Sequence, residues 1–466
     1  MPPGCYLITA RVRVFCYQRG VHVKNSPKLS DHFTFGKLMR FTLPTMLMMV
    51  FTSVYSVVDG FFVSNYAGET QFSAVNFAFP LLMILWAPGF VFGSGGSALI
   101  SKTLGEGDGK RANRQFSLFV YFSAAVGLLL GVAAFIFMRP LLAAIGGSGE
   151  LLDYGVLYGR IIALSIPFGV LQVAFQSYFS VAERSRAGLW VTVGSGVANM
   201  ILDVVFVGLF RWGITGAAAA TFISQVVGGG VPVVYFARKN TGLLRLGKTS
   251  WDGRALARGA SNGASEMLSS VTSSLVGMLY NYQLLRYAGE RGVAAYGVLM
   301  YVNFIFIAIF IGFTMGTTPI IGFHYGAENH AELRNMKRKS IFFILGAAAA
   351  MLALALLLGG VISRVFVGYD PDLMAMSHRA FMICAFSFPF AGFGIFASAF
   401  FTALNNGLVS GVLSGLRTIV FQVAAILLLP LAFGLDGIWF SVVAAEAAAM
   451  LASVVAIFMF KRRYRY

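Results

Sequence analysis

Apolar runs of about 20 residues recur along this chain from about residue 41 to residue 460. Each is long enough, as a helix, to cross a hydrocarbon core of ~30 Å. Only 11% of the residues are charged, against roughly 25% in a soluble domain, so this much apolar surface has no water-soluble solution. The chain also holds 53 glycines, and small residues let membrane helices approach closely. The pattern predicts helices near 38–65, 73–101, 115–138, 157–181, 187–210, 213–237, 256–285, 293–322, 340–362, 378–403, 408–431 and 436–460. Gly, Pro and charge clusters mark the breaks, as in Gly105-Glu106-Gly107-Asp108-Gly109.

The net charge of +17 would point to nucleic acid in a soluble protein. Placed on these helices, it records topology instead. The N-terminal segment, the loops after even-numbered helices and the C-terminal tail hold 27 of the 35 Lys and Arg residues. By the positive-inside rule both termini are cytoplasmic, and nucleic acid is excluded as a partner. Residues 1–35 carry five basic residues and no uninterrupted apolar core, so they read as a disordered cytoplasmic extension rather than a secretory signal. Cys5, Cys16 and Cys384 are too scattered for a disulfide framework or a metal site.

The halves resemble each other. Tyr66-Ala67-Gly68-Glu69 recurs as Tyr287-Ala288-Gly289-Glu290, 221 residues later. At the same spacing Gly105 meets Gly326, and Gly213 and Gly216 meet Gly434 and Gly437. Six helices per unit makes the units parallel repeats about an axis along the membrane normal. The expected organisation is an extension at 1–35, a six-helix lobe at 36–238, a linker at 239–254, a second lobe at 255–461 and a basic tail at 462–466. The cleft between the lobes is the expected transport path.

Four of the 18 acidic residues fall inside predicted helices: Asp59, Asp203, Glu266 and Glu446. A carboxylate at the bilayer centre costs about 2.5–3.5 kcal/mol, so each must be paired, protonated or turned to a polar cavity. Tyr55 and Thr52 precede Asp59 by four and seven residues, on one helix face. Asn199 precedes Asp203 by four. Two carboxylates with amide, phenol and hydroxyl oxygens suit a hard cation. Two acids sharing a site also suit proton binding. Glu266, beside Asn262, Ser265 and Ser269, is a candidate for a cationic substrate or a secondary proton. Glu446 is a second such candidate, although hydrogen bonding within the bundle is its plainer role. Arg417 is expected to neutralise an acid of the second half. Pro44 frees a backbone carbonyl in the first helix and is a candidate hinge that would move Asp59.

No Walker A, Gly-x-Ser-x-Gly or His-Glu-x-x-His pattern occurs, which disfavours an ATPase or an intramembrane hydrolase; the expectation is a non-enzyme without cofactor. Over about residues 33–460 the sequence resembles the multidrug and toxic compound extrusion (MATE) family of secondary transporters, nearer its bacterial DinF/MepA-like side. The segments that carry the likeness are Pro44 with Asp59-Gly60, then Gly93-x-x-Gly96 and Leu104-Gly105-Glu106-Gly107-Asp108-Gly109-Lys110-Arg111-Ala112-Asn113. Asn199-x-x-x-Asp203 and Gly213-x-x-Gly216-Ala217-Ala218-Ala219-Ala220-Thr221 complete it. The resemblance implies an all-α integral membrane fold of twelve transmembrane helices in two pseudo-symmetric six-helix bundles, the MATE/MOP-type fold. It also implies export of drug-like cations against entering H⁺ or Na⁺, with the ion held by Asp59, Asn199, Asp203 and Thr221 beside Tyr55. Na⁺ is the metal ion those oxygens would hold. The family's other pattern pairs a helix-seven Glu, matched by Glu266, with a helix-ten Asp; helix ten here has no acid, which favours the N-terminal site.

The expected setting is the inner (cytoplasmic) membrane, with the lipid bilayer and small drug-like cations as partners and a monomer as the simplest state. A flippase for lipid-linked sugars shares this architecture but should line its cleft with Arg or Lys. A major facilitator transporter fits the motif order poorly, and a membrane sensor lacks any appended domain.

Overall fold

A computed structural model describes residues 27–63, 66, 68–238, 240, 242–368 and 370–466. The first 26 residues of the expected extension, with Cys5 and Cys16, lie outside the described residues, as does Ala67 of the first repeat motif. The described residues form helices joined by short turns. α1 is Phe35–Phe62, and α2 runs from 69 to 105 with a π-helical turn at Val91–Gly95. α3 is Gly109–Ala144, α4 is Gly149–Val181, and α5 is Ser185–Asp203 extended by a π turn, Val204–Leu209. α6 is Gly213–Ala237.

The second lobe departs from the expected boundaries. The helices predicted at 256–285 and 293–322 have no loop between them. One helical run, Gly253–Gly326, breaks only at Gly289, giving α7 (253–288) and α8 (290–326). α9 is His330–Val367, and α10 spans 371–403 with a 3₁₀ turn at Ala385–Ser387. The last run breaks at Gly434 into α11 (407–433), which carries a π turn at Leu416–Phe421, and α12 (435–464). Among the described residues ten helical segments are apolar and long enough to cross a membrane, and the 58-residue Gly407–Tyr464 segment divides at Gly434 into two. α7 is the helix absent from that set: its inward face carries Asn262, Ser265, Glu266, Ser269 and Thr272, so polarity offsets its apolar length.

The duplication is written into the backbone. Eight of the twelve left-handed φ angles among the described residues occur in pairs: Gly68 with Gly289, Gly107 with Glu328, Glu183 with Asn405, and Gly213 with Gly434. Each pair is separated by 221 or 222 residues. Glu183, Glu328 and Asn405 adopt a conformation that side chains rarely take outside turns, so the turn geometry persists where the glycine does not. Caps repeat too: the Asp108 side chain accepts from Arg111 N, and Asn329, 221 residues on, accepts from Glu332 N.

The lobes meet through glycines, and the contacts are reciprocal. A Cβ on Gly105 would stand 2.0 Å from Phe323 O, and one on Gly326 would stand 2.0 Å from Lys102 O. Lys102 and Phe323 are themselves repeat mates, so α2 and α8 cross on the pseudo-twofold axis. α2 likewise meets α7 at Gly95 and Gly263, while α8 meets α1 at Gly312 and Gly316 beside Thr45 and Met46. Pro44 is buried near this contact, inside an unbroken α1. All these approaches fall in the halves of the helices nearest the basic loops; among the described residues no glycine makes such an inter-lobe contact toward the far ends.

Two tails differ from expectation. Residues 27–34 are folded: Leu29 and Phe33 are fully buried, and the segment straps one lobe to the other. Leu29 N donates to Glu183 Oε1 (2.6 Å) in the α4–α5 turn, and Phe33 N donates to Glu332 Oε1 (2.9 Å) on α9. Asn335 and Lys339 both donate to Phe33 O. At the other terminus helix continues to Tyr464, and Tyr466 is buried on Phe400 with its hydroxyl donating to Ile457 O (3.0 Å). Apolar anchors at both ends therefore shorten the expected extension and tail.

Candidate functional site

The first lobe gathers its acids by a close approach of α1 and α5. Gly196 leaves room for the rings of Phe51 and Tyr55; a Cβ there would stand 2.6 Å from Phe51 Cε1 and 3.0 Å from Tyr55 Cδ1. Phe51, Tyr55 and Asp59 lie four residues apart on one face of α1. Gly196, Asn199 and Asp203 lie three and four apart on α5. Seating the rings over Gly196 thus carries Asp59 up against Asn199 and Asp203. Asp203 is fully buried and Asn199 nearly so. The α5 helix changes to a π turn immediately after Asp203, a distortion that recurs at functional sites.

None of Asp59 Oδ1, Asp203 Oδ1, Asp203 Oδ2 or the two amide atoms of Asn199 has a well-formed hydrogen bond. Buried polar atoms are rarely left so, and two neighbouring carboxylates cannot both stay ionised without a neutralising partner. A proton on one acid, or a hard cation among the oxygens, would satisfy the set. Thr221 on α6 approaches through Tyr158, whose buried hydroxyl adjoins Thr221 within electrostatic reach of both acids. Tyr158 is the residue that sequence reasoning missed. It stands on α4 among apolar neighbours, where no polar stripe announced it. Behind the site, Gln172 donates to Ser195 Oγ (3.4 Å), Ser195 Oγ donates to Ser224 O (2.7 Å) and Ser224 Oγ donates to Thr221 O (2.9 Å). These bonds tie α4, α5 and α6 together.

The second lobe arranges its charges differently. Arg417, expected to neutralise an acid there, binds Glu446 through three hydrogen bonds of 2.8–3.1 Å. Gln422 adds a donor at 3.4 Å. Both partners are shielded, with 16% and 5% of their side chains exposed. Glu446 is therefore already satisfied. Glu266 is half-buried on α7 within electrostatic reach of Arg417. Neither residue joins the cluster of Asp59 and Asp203. Among the described residues no group of three His, Cys, Asp or Glu side chains forms a metal cluster; the first-lobe site instead mixes two acids with neutral oxygens.

Twin bundles, a glycine-lined crossing and two close acids with unsatisfied oxygens inside helices fit a membrane transporter. The MatE family model matches residues 44–205 and 267–428, once in each lobe, and the chain belongs to this family of transporters. Among its relatives, the "Multidrug export protein MepA" of Staphylococcus haemolyticus is 24% identical over 433 residues, covering 92% of this chain and 94% of that one. MepA of Staphylococcus aureus is 24% identical over 438 residues with the same coverage. A solved MATE-family transporter of the MOP superfamily in an outward-facing conformation superposes with a TM-score of 0.88 at 22% identity, covering 93% of this chain and 97% of that one. A MOP superfamily transporter from Pyrococcus furiosus gives 0.87 at 21%, covering 93% and 98%. These structures establish the MOP-type fold.

Proposed function

We propose that this protein exports cationic or amphipathic small molecules in exchange for H⁺ or Na⁺, by alternating access between its two lobes. The observation that carries this reading is the close pair of acids, half-buried Asp59 and buried Asp203, set beside Asn199 with Asp59 Oδ1 and both Asp203 oxygens lacking a hydrogen-bond partner. The ion site is these three residues with Thr221, Tyr55 and the added Tyr158. Binding the ion supplies the missing charge; losing it leaves two carboxylates pressed together with only neutral groups beside them. That difference is what a driving gradient would use to shift α1 and α5, with Pro44 as the pivot. The export relatives support the cargo class, and Glu266, half-buried on α7, is the helix acid left to meet its positive charge.

The setting is an inner membrane with both termini on the cytoplasmic side, the protein working as a monomer. The tight glycine crossings then close the cytoplasmic end and leave the cleft open outward. Purified protein in sealed vesicles tests this. Efflux of a fluorescent cation under an imposed proton or sodium gradient should accelerate for one ion and not the other. Efflux indifferent to both would refute exchange. A lipid-linked sugar flippase of the same superfamily is the weaker reading, because Arg417, which would suit an anionic headgroup, is already taken by Glu446.

A further inference from the structure

The linker after α6 is built into the fold rather than hung between lobes. Leu244 and Leu246 are buried, whereas Leu243, Arg245 and Gly247 are exposed. This alternation is that of an extended strand. α3 clamps it: Asn113 Nδ2 donates to Leu243 O (3.2 Å), and Arg245 N donates to Asn113 Oδ1 (2.7 Å). Gly247 N donates to Ser117 Oγ (3.0 Å), and Thr249 Oγ1 donates to Arg114 O (2.8 Å). Between strand and helix lies a hollow of about 500 Å³ whose rim carries Lys110, Arg114, Arg245 and Lys248.

Four cations around one hollow repel each other unless an anion joins them. The nearest acids are otherwise occupied. Asp108 caps α3, Glu106 pairs with Lys102 (3.6 Å), and Asp252 caps α7. Among the described residues none of the four basic side chains has an ion-pair partner. Asn113 and Ser117 line the floor with their polar atoms already bonded to backbone, so the four cations alone are left to bind an anion.

A second observation fixes the depth. Exposed Tyr121 donates to Gly247 O (3.3 Å), and exposed Trp251 packs edge-on against Phe122. Tyr and Trp with one wet and one apolar end sit at headgroup level. Beyond Tyr121 the same outer face of α3 continues as Leu128, Leu129, Val132 and Ile136, each more than half exposed.

The geometry points to a binding site for the phosphate headgroup of an anionic phospholipid between α3 and the inter-lobe linker, with the acyl chains lying down the exposed face of α3. The occupant is a lipid rather than free phosphate because the basic rim opens directly onto that apolar stripe. A lipid seated there would pin the linker joining the lobes, so its headgroup charge would bear on their relative movement.

Native mass spectrometry of the full-length, delipidated protein tests this with equimolar phosphatidylglycerol and phosphatidylcholine. The wild type should retain phosphatidylglycerol at least tenfold better. Each basic residue near a membrane surface adds about 1 kcal/mol, so R114Q/R245Q/K248Q should weaken retention on the order of a hundredfold. The charge-preserving variant R114K/R245K/K248R should keep it, as should K461Q/R462Q elsewhere on the basic end. Unchanged retention in the neutralised variant would overturn the proposal. So would loss in the charge-preserving one, or displacement of the lipid by millimolar inorganic phosphate.

Discussion

Arg417 and Glu446 form a shielded pair, and the cost of breaking it differs from the worth of having it. Removing one partner strands a charge, which costs about 3–5 kcal/mol, whereas replacing both with apolar residues is often neutral. R417M alone should therefore unfold at markedly lower temperature in detergent, and R417M/E446L should recover most of the loss. Equal destabilisation by both would show that the pair does more than neutralise itself. Tyr158 makes the complementary case in the first lobe. Its hydroxyl adjoins Thr221 within electrostatic reach of both acids, and a hydrogen bond between neutral groups contributes about 0.5–1.5 kcal/mol. Y158F should raise the concentration of driving ion needed for half-maximal efflux by about fivefold while leaving the fold intact. An unchanged ion dependence would remove Tyr158 from the site. Asp59, Asn199 and Asp203 could be picked out from sequence because acids are costly in a membrane and each had a polar residue one turn away. Tyr158 could not, since a tyrosine in an apolar helix has no such cost, and only packing decides what its hydroxyl meets.

At the scale of elements, hydropathy located the helices but not their ends. Charges at 286–291 suggested a loop, yet the helix continues through them because one glycine, Gly289, takes the whole bend. The π turns of α2, α5 and α11 leave no periodic signature, and the strap at 27–34 is too short to register as an element. Its anchors are specific nevertheless. Phe33 is fully buried and sits edge-on to Phe41, so F33A should cost about 3–5 kcal/mol, measured by chemical unfolding in micelles. A change under 1 kcal/mol would mean the strap is loosely held. Burial raises the Glu183 carboxyl above the ordinary glutamate value, although the Leu29 N–H pulls it partly back. A pKa raised on folding favours the fold at low pH and withdraws that contribution as pH climbs through the raised value. The melting temperature of wild type relative to E183Q should accordingly fall as pH rises from 4.5, the ordinary value. A flat difference would contradict the burial of that carboxyl.

At the scale of the molecule, the lobes are twins in backbone and strangers in chemistry. Paired left-handed turns and reciprocal glycine crossings preserve the duplication. The repeat mates of the first-lobe acids are Tyr280 and Ala424, so the second lobe carries no copy of this acid pair. Tyr280 instead exchanges a 2.8 Å hydrogen bond with Ser441 inside its own bundle. The crossing of α2 and α8 tolerates no side chain: any Cβ at Gly105 or Gly326 meets a backbone oxygen. G105V should therefore destabilise the arrangement closed at the basic end and populate the opposite one. A cysteine placed near that end should react faster with a membrane-impermeant thiol reagent than in the wild-type background; equal reactivity would mean the crossing is not a gate.

The claim at the centre of this account is that the two first-lobe acids take up the driving ion. Gradient-driven efflux of a fluorescent cation from proteoliposomes tests it most directly, comparing wild type with D59N and D203N inserted at equal density. The account predicts acceleration by the gradient in the wild type and none in either variant. Gradient-driven efflux at the wild-type rate in D59N would contradict it.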